Sequence, residues 1–116
     1  MYLIMHKNLR LLYITIQNQN QARALGRKII ELKLAACVNI IPKMHSIYRW
    51  EERICEDEEA ILIIKTHTSR VPDITKFIQE EHTYDCPCVI SISLTEDEGN
   101  EEYLHWLMNE SKLQSN

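Results

Sequence analysis

The fold turns on one stretch, Cys37-Val38-Asn39-Ile40-Ile41-Pro42-Lys43-Met44-His45-Ser46-Ile47-Tyr48-Arg49-Trp50, and on the pair Glu51-Glu52 that follows it. Cys37–Ile41 reads as a strand, and Pro42 removes a ladder donor, which marks a bulge or an edge. The extended pattern resumes through Ile47, Tyr48 and Trp50. Glu51-Glu52 is the expected turn, and Arg53–Thr66 returns as the next strand. Its Ala60–Ile64 segment is apolar on both faces, as in a central strand covered on both sides. From Cys37 to Trp50 an extended chain reaches roughly 45 Å. A domain of this size is only about 35 Å across, so the tip overhangs its own core unless Pro42 folds the strand back onto the chain's own helices. The overhang carries Ile47, Tyr48 and Trp50, with Arg49 between the aromatics, which are residue types that dominate interfaces. Such a sheet edge calls for a second chain.

Upstream, Leu9–Ile16 alternates: Leu12, Ile14 and Ile16 fall on one face, Leu11, Tyr13 and Thr15 on the other. Asn18 offers a helix cap, with Gln21 in capping-box position. Ala22, Leu25, Ile29 and Leu32 then recur at helical spacing, and the helix is expected to end near Leu34. Downstream, Thr68 or Ser69 is expected to cap a second helix with Pro72 in its first turn. Val71, Ile74, Phe77 and Ile78 form its apolar stripe. Val89–Leu94 alternates again, and Asn100 caps a last helix packed down by Tyr103, Leu104, Leu107 and Met108. The order predicts an α/β (α+β) chain: a ferredoxin-like βαββαβ sandwich with an extra C-terminal helix and a long protruding β-hairpin.

With 116 residues the chain is expected to hold a single domain over residues 9–112. Residues 1–8 read as an N-terminal extension, or Met5 as the true start, and residues 113–116 as a tail. Net charge is −4 and no Lys/Arg-rich block occurs, so nucleic acid and anionic membrane are not expected partners. Two glycines leave no Gly-rich phosphate loop. Neither a signal peptide nor a membrane span is legible, which predicts a cytoplasmic, reducing location where the four cysteines remain thiols or ligands.

Five blocks resemble the CutA family, the divalent-cation tolerance proteins. They are Leu34-Ala35-Ala36-Cys37-Val38-Asn39-Ile40, Ser46-Ile47-Tyr48-Arg49-Trp50, Leu62-Ile63-Ile64-Lys65-Thr66, His82-x-Tyr84-Asp85-x-Pro87, and Gly99-x-x-x-Tyr103-Leu104-x-Trp106-Leu107. The resemblance implies a homotrimer built by strand pairing between subunits, with an architecture like that of the PII signalling proteins. It also implies a part in tolerance of copper and other divalent metals, with metal bound through a histidine and cysteines and no enzymatic reaction. The chain departs from the family pattern at Glu52, where a turn glycine is usual, at Thr83, where proline is common, and at Cys88, where a carboxylate is frequent.

His82, Cys86 and Cys88 are the first metal-ligand candidates, because imidazole and thiolate suit Cu²⁺, Cu⁺ or Zn²⁺. The family match adds Cys37, which is otherwise read as a small core hydrophobe. Six carboxylates between Glu51 and Glu59 read as a solvated hairpin surface rather than a hard-cation site. Cys37 and His82, with Asp85 to orient the histidine, are a weak nucleophile–base pair. An effector pocket at the subunit junction is expected to draw on Tyr48, Arg49, Trp50, Lys65, His82 and Tyr84.

Overall fold

Four strands and three α-helices follow one another along residues 7–112, the part of the chain that the computed structural model describes. They are β1 (Leu9–Ile16), α1 (Gln19–Glu31), β2 (Cys37–Trp50), β3 (Arg53–His67), α2 (Val71–Glu81), β4 (Val89–Ser93) and α3 (Glu101–Ser111). The expected tail, and all but residues 7 and 8 of the expected extension, lie outside the described residues. The sheet has the order β2-β3-β1-β4 with every pair antiparallel, which is the ferredoxin-like arrangement. No helix among the described residues is long and apolar enough to cross a membrane.

The alternation of β1 sorts its side chains as expected. Leu12, Ile14 and Ile16 are fully buried and join Ala22, Leu25 and Ile29 of α1 and Ile74, Phe77 and Ile78 of α2 in one core. Gly26 lets α1 lie close on the sheet: a Cβ there would stand 3.1 Å from Val38 Cγ2 and 3.2 Å from Leu62 Cδ1. Asn18 caps α1 through Oδ1, which accepts from the Gln21 N–H at 2.9 Å. The helix stops at Glu31, short of the expected Leu34. Lys33 takes a left-handed φ of 60°, and the Leu34 N–H returns to the Ile29 carbonyl at 3.1 Å. That closing loop usually holds glycine, so the lysine gave no sequence signal for it.

Ahead of α2 a 3-10 turn, Thr68–Arg70, is inserted, and its cap is His67 rather than Thr68 or Ser69. His67 Nδ1 accepts from the Ser69 N–H at 3.1 Å. In α3, Leu107 is the residue packed down, whereas Tyr103 stays 41% exposed. Tyr103 instead accepts a 3.1 Å hydrogen bond from Lys65 Nζ, which brings α3 over one end of the sheet's second face.

β2 and β3 form the long hairpin. The molecule measures 57 × 27 × 22 Å with a radius of gyration of 15.6 Å, against roughly 13 Å for a rounded domain of this length. Glu51 and Glu52 make the turn with φ of 49° and 66°, both in the left-handed region of a two-residue hairpin turn. The register runs Ile41 against Ile61 and then Met44 against Glu59. Pro42 and Lys43 thus stand opposite Ala60 alone, the bulge that the proline predicts.

Candidate functional site

A groove of about 830 Å³ opens between the distal hairpin and the segment joining α2 to β4. The bulge decides which hairpin residues face it. Before the bulge Cys37, Asn39 and Ile41 lie on the second face of the sheet, in register with Lys65, Ile63 and Ile61. After it the even-numbered residues take that face: Tyr48 pairs with Cys55 and Trp50 with Arg53. Tyr48 and Trp50 therefore wall the groove, while Arg49, paired with Ile54, points to the opposite side.

The far wall is held by His82 at the C-cap of α2. Its ring is 9% exposed and both nitrogens are engaged. The Tyr84 backbone N–H donates to Nδ1 at 3.0 Å, so the ring proton sits on Nε2, which donates to the Thr15 carbonyl at 2.9 Å. The Tyr84 ring leans on the imidazole at 4.6 Å between centroids, and its hydroxyl crosses to Glu59 at 2.8 Å. Nearer the tip the Tyr48 hydroxyl donates to Asp57.

Both tyrosines resist ionisation. Burial, then the hydrogen bond to Glu59, holds the Tyr84 hydroxyl well above its ordinary range. The hydrogen bond to Asp57 and then burial push Tyr48 up to about 12. Asp57, Glu59 and Asp85 all line the groove, and neither Arg49 nor Lys65 does. The expected solvated hairpin thus turns two of its carboxylates inward, and Glu59 is 8% exposed. Their odd-numbered positions, in step with Ile61 and Ile63, are the signal by which they could have been found.

The expected site residues separate into groups. Tyr48, Trp50, Tyr84, Cys86 and Cys88 meet around the groove, and His82 is locked behind it. Cys37 and Lys65 share a row with Leu11, four residues along β1 from Thr15, or about 13 Å away. Lys65 is committed to Tyr103, and that hydrogen bond keeps its ammonium favoured. Among the described residues no three His, Cys, Asp or Glu side chains come together to hold a metal ion. His82 has no free lone pair, so His82, Cys37, Cys86 and Cys88 do not fit a divalent centre within one chain.

The model of the CutA1 divalent ion tolerance protein family matches residues 10–110. Protein CutA of Mus musculus is 39% identical over 104 residues, covering 90% of this chain and 58% of the mouse protein. The divalent-cation tolerance protein CutA of Thermus thermophilus is 39% identical over 94 residues, 81% of this chain and 89% of that protein. The crystal structure of CutA1 from Oryza sativa superposes with a TM-score of 0.86 at 37% identity, covering 94% of this chain and 99% of that one. The chain spans little more than half the length of the curated animal and plant relatives it matches.

Proposed function

Because this chain belongs to the CutA1 divalent ion tolerance family, we propose that it acts in divalent-metal tolerance as a homotrimeric binding protein. The hairpin carries the proposal of self-association. Its tip exposes apolar side chains on both faces, Trp50 at 55% on one and Ile47 at 66% and Ile54 at 71% on the other. Along the open sheet face Ile41, Ile90 and Ile92 are exposed as well. At about 25 cal/mol per Å², covering such surface is a strong drive to associate. Three copies is the number that the family resemblance implies.

A divalent ion such as Cu²⁺ would complete its ligand shell only where the carboxylate- and thiol-lined groove of one copy meets another copy. Catalysis has little support: both nitrogens of His82 are spent on Thr15 and Tyr84, and Cys37 lies in a distant row of the sheet. The four cysteines are all free thiols, in keeping with a reducing compartment such as the cytoplasm. The aromatic walls of the groove support a second reading, a PII-like module that binds a small effector at the junction. Its lining of Asp57, Glu59 and Asp85 favours a cationic or neutral effector over an anionic one.

Light scattering tests the assembly. The expected mass is three times 13.7 kDa, falling for Trp50→Asp. A wild-type monomer would overturn the proposal.

A further inference from the structure

Charge is balanced outside the groove and unbalanced within it. Of the hairpin carboxylates that do not line it, Glu56 meets His45 at 2.9 Å and Glu58 meets Lys43 at 3.8 Å. Asp57 and Glu59, which do line it, receive only tyrosine hydroxyls, from Tyr48 and from Tyr84 at 2.8 Å. Asp85 adds a third carboxylate from the far wall, and among the described residues no ion pair reaches any of the three. Glu59 is nonetheless only 8% exposed, and a carboxylate buried that deeply normally has a cationic partner. Each carboxylate has about four acceptor sites, so a single hydroxyl leaves most of them open. The one basic side chain on the described lining, His45, is held by Glu56.

Resting on the effector reading of this groove, we infer that its ligand is an aliphatic polyamine, with ammonium groups on Asp57, Glu59 and Asp85 and methylenes along Tyr48, Trp50 and Tyr84. Spacing decides against a point charge. Among the described residues no three His, Cys, Asp or Glu side chains come together to hold a metal ion, and Ca²⁺ takes six or more oxygens. Asp57 and Glu59 stand two residues apart on one strand face, about 6.6 Å, which matches the reach between the nitrogens of a butane-1,4-diamine unit. Tyr48 and Trp50 alternate onto the same face of the hairpin. His82 sets Tyr84 across from them, with the two rings 4.6 Å apart. Such rings cover methylenes and also attract an ammonium within ~6 Å. A groove of about 830 Å³ has room for a chain of this kind.

Calorimetric titration of the whole chain with spermidine, at fixed ionic strength, supplies the test. The expected result is one spermidine per chain, with butylamine, which carries a single ammonium, weaker by at least about 10-fold. Asp57→Asn and Glu59→Gln should each weaken spermidine by about 10–100-fold, the value of one hydrogen bond to a charged group. Glu58→Gln removes the same charge outside the groove and should leave binding unchanged. In a Trp106→Phe background Trp50 is the remaining tryptophan, and its emission should shift with the same midpoint. Equal weakening in Glu58→Gln would overturn the inference, as would Mg²⁺ binding as tightly as butane-1,4-diamine, which has equal charge. Tripolyphosphate that shifts Trp50 where spermidine does not would overturn the polyamine while the effector reading stands. Silence toward both would overturn the polyamine and remove the support for the effector reading. Circular dichroism reports folding, and should Glu59→Gln unfold, Asp57→Asn and Asp85→Asn decide the outcome.

Discussion

His82 ties the end of α2 to Thr15 in β1: its Nε2–H donates to the Thr15 carbonyl at 2.9 Å across a separation of 67 residues. The same ring accepts from the Tyr84 N–H, so one side chain satisfies two backbone groups and sets the far wall of the groove. Replacing it leaves both backbone groups unpaired in a partly buried setting, at roughly 1–3 kcal/mol each. His82→Ala is therefore expected to lower unfolding free energy by about 3 kcal/mol in a urea titration. A loss below about 1 kcal/mol would show that the ring is not the fastener.

The Tyr48 hydroxyl gives a pH dependence with a definite sign. Its folded pKa of about 12 lies above the ordinary 10.0. The stability it contributes is complete below pH 10 and is lost as pH rises from about 10 through about 12. Urea midpoints measured from pH 8 upward should hold level and then fall. Tyr48→Phe should fall less steeply over the same window, and an identical slope in both proteins would contradict the hydrogen bond to Asp57.

The turn at Glu51 and Glu52 is strained, since both residues occupy the left-handed region without being glycine. Glu51→Asn with Glu52→Gly supplies the residues this turn type prefers. Thermal unfolding should rise by the equivalent of about 1 kcal/mol, the relief being partly offset by the greater freedom of glycine in the unfolded chain. A drop in stability would mean that the two glutamates make contacts outweighing the strain.

Ile54 sits on the side of the hairpin away from the groove, Ile47 shares its side of the strand ladder while also reaching the rim of the groove, and both lie outside the core. The Ile47→Asp/Ile54→Asp double variant should keep its far-UV circular dichroism while sedimenting as a smaller species, if that side meets another copy. Unchanged sedimentation would confine association to the side carrying Tyr48 and Trp50.

Much of the hairpin was legible because its signals are local. Pro42 announced the bulge, the span from Cys37 to Trp50 announced the overhang, and Asn18 and Asn100 announced two helix starts. The groove was only half legible. Tyr48, Trp50 and Tyr84 are expected in it and line it, but Arg49, expected beside them for its charge, faces the other side because consecutive strand residues alternate. Glu59 was read as solvated because its partner, Tyr84, lies 25 residues away. His82 looked like a ligand for the same reason: what consumes its lone pair and its proton is backbone geometry, which residue types do not encode. The end of α1 was missed where Lys33 takes a conformation usually left to glycine.

The extra residue at Pro42–Lys43 makes the two sides of the hairpin interchangeable by a frame change of one. Delete either residue and every side chain from Met44 to Trp50 reverses its outlook. Tyr48 and Trp50 would turn away from Tyr84, and Ile47 and Arg49 would take their place, with a guanidinium now facing Asp57 and Glu59. A single-codon deletion would thus convert an acidic recess into a charge-compensated one while leaving the composition of the strand almost untouched.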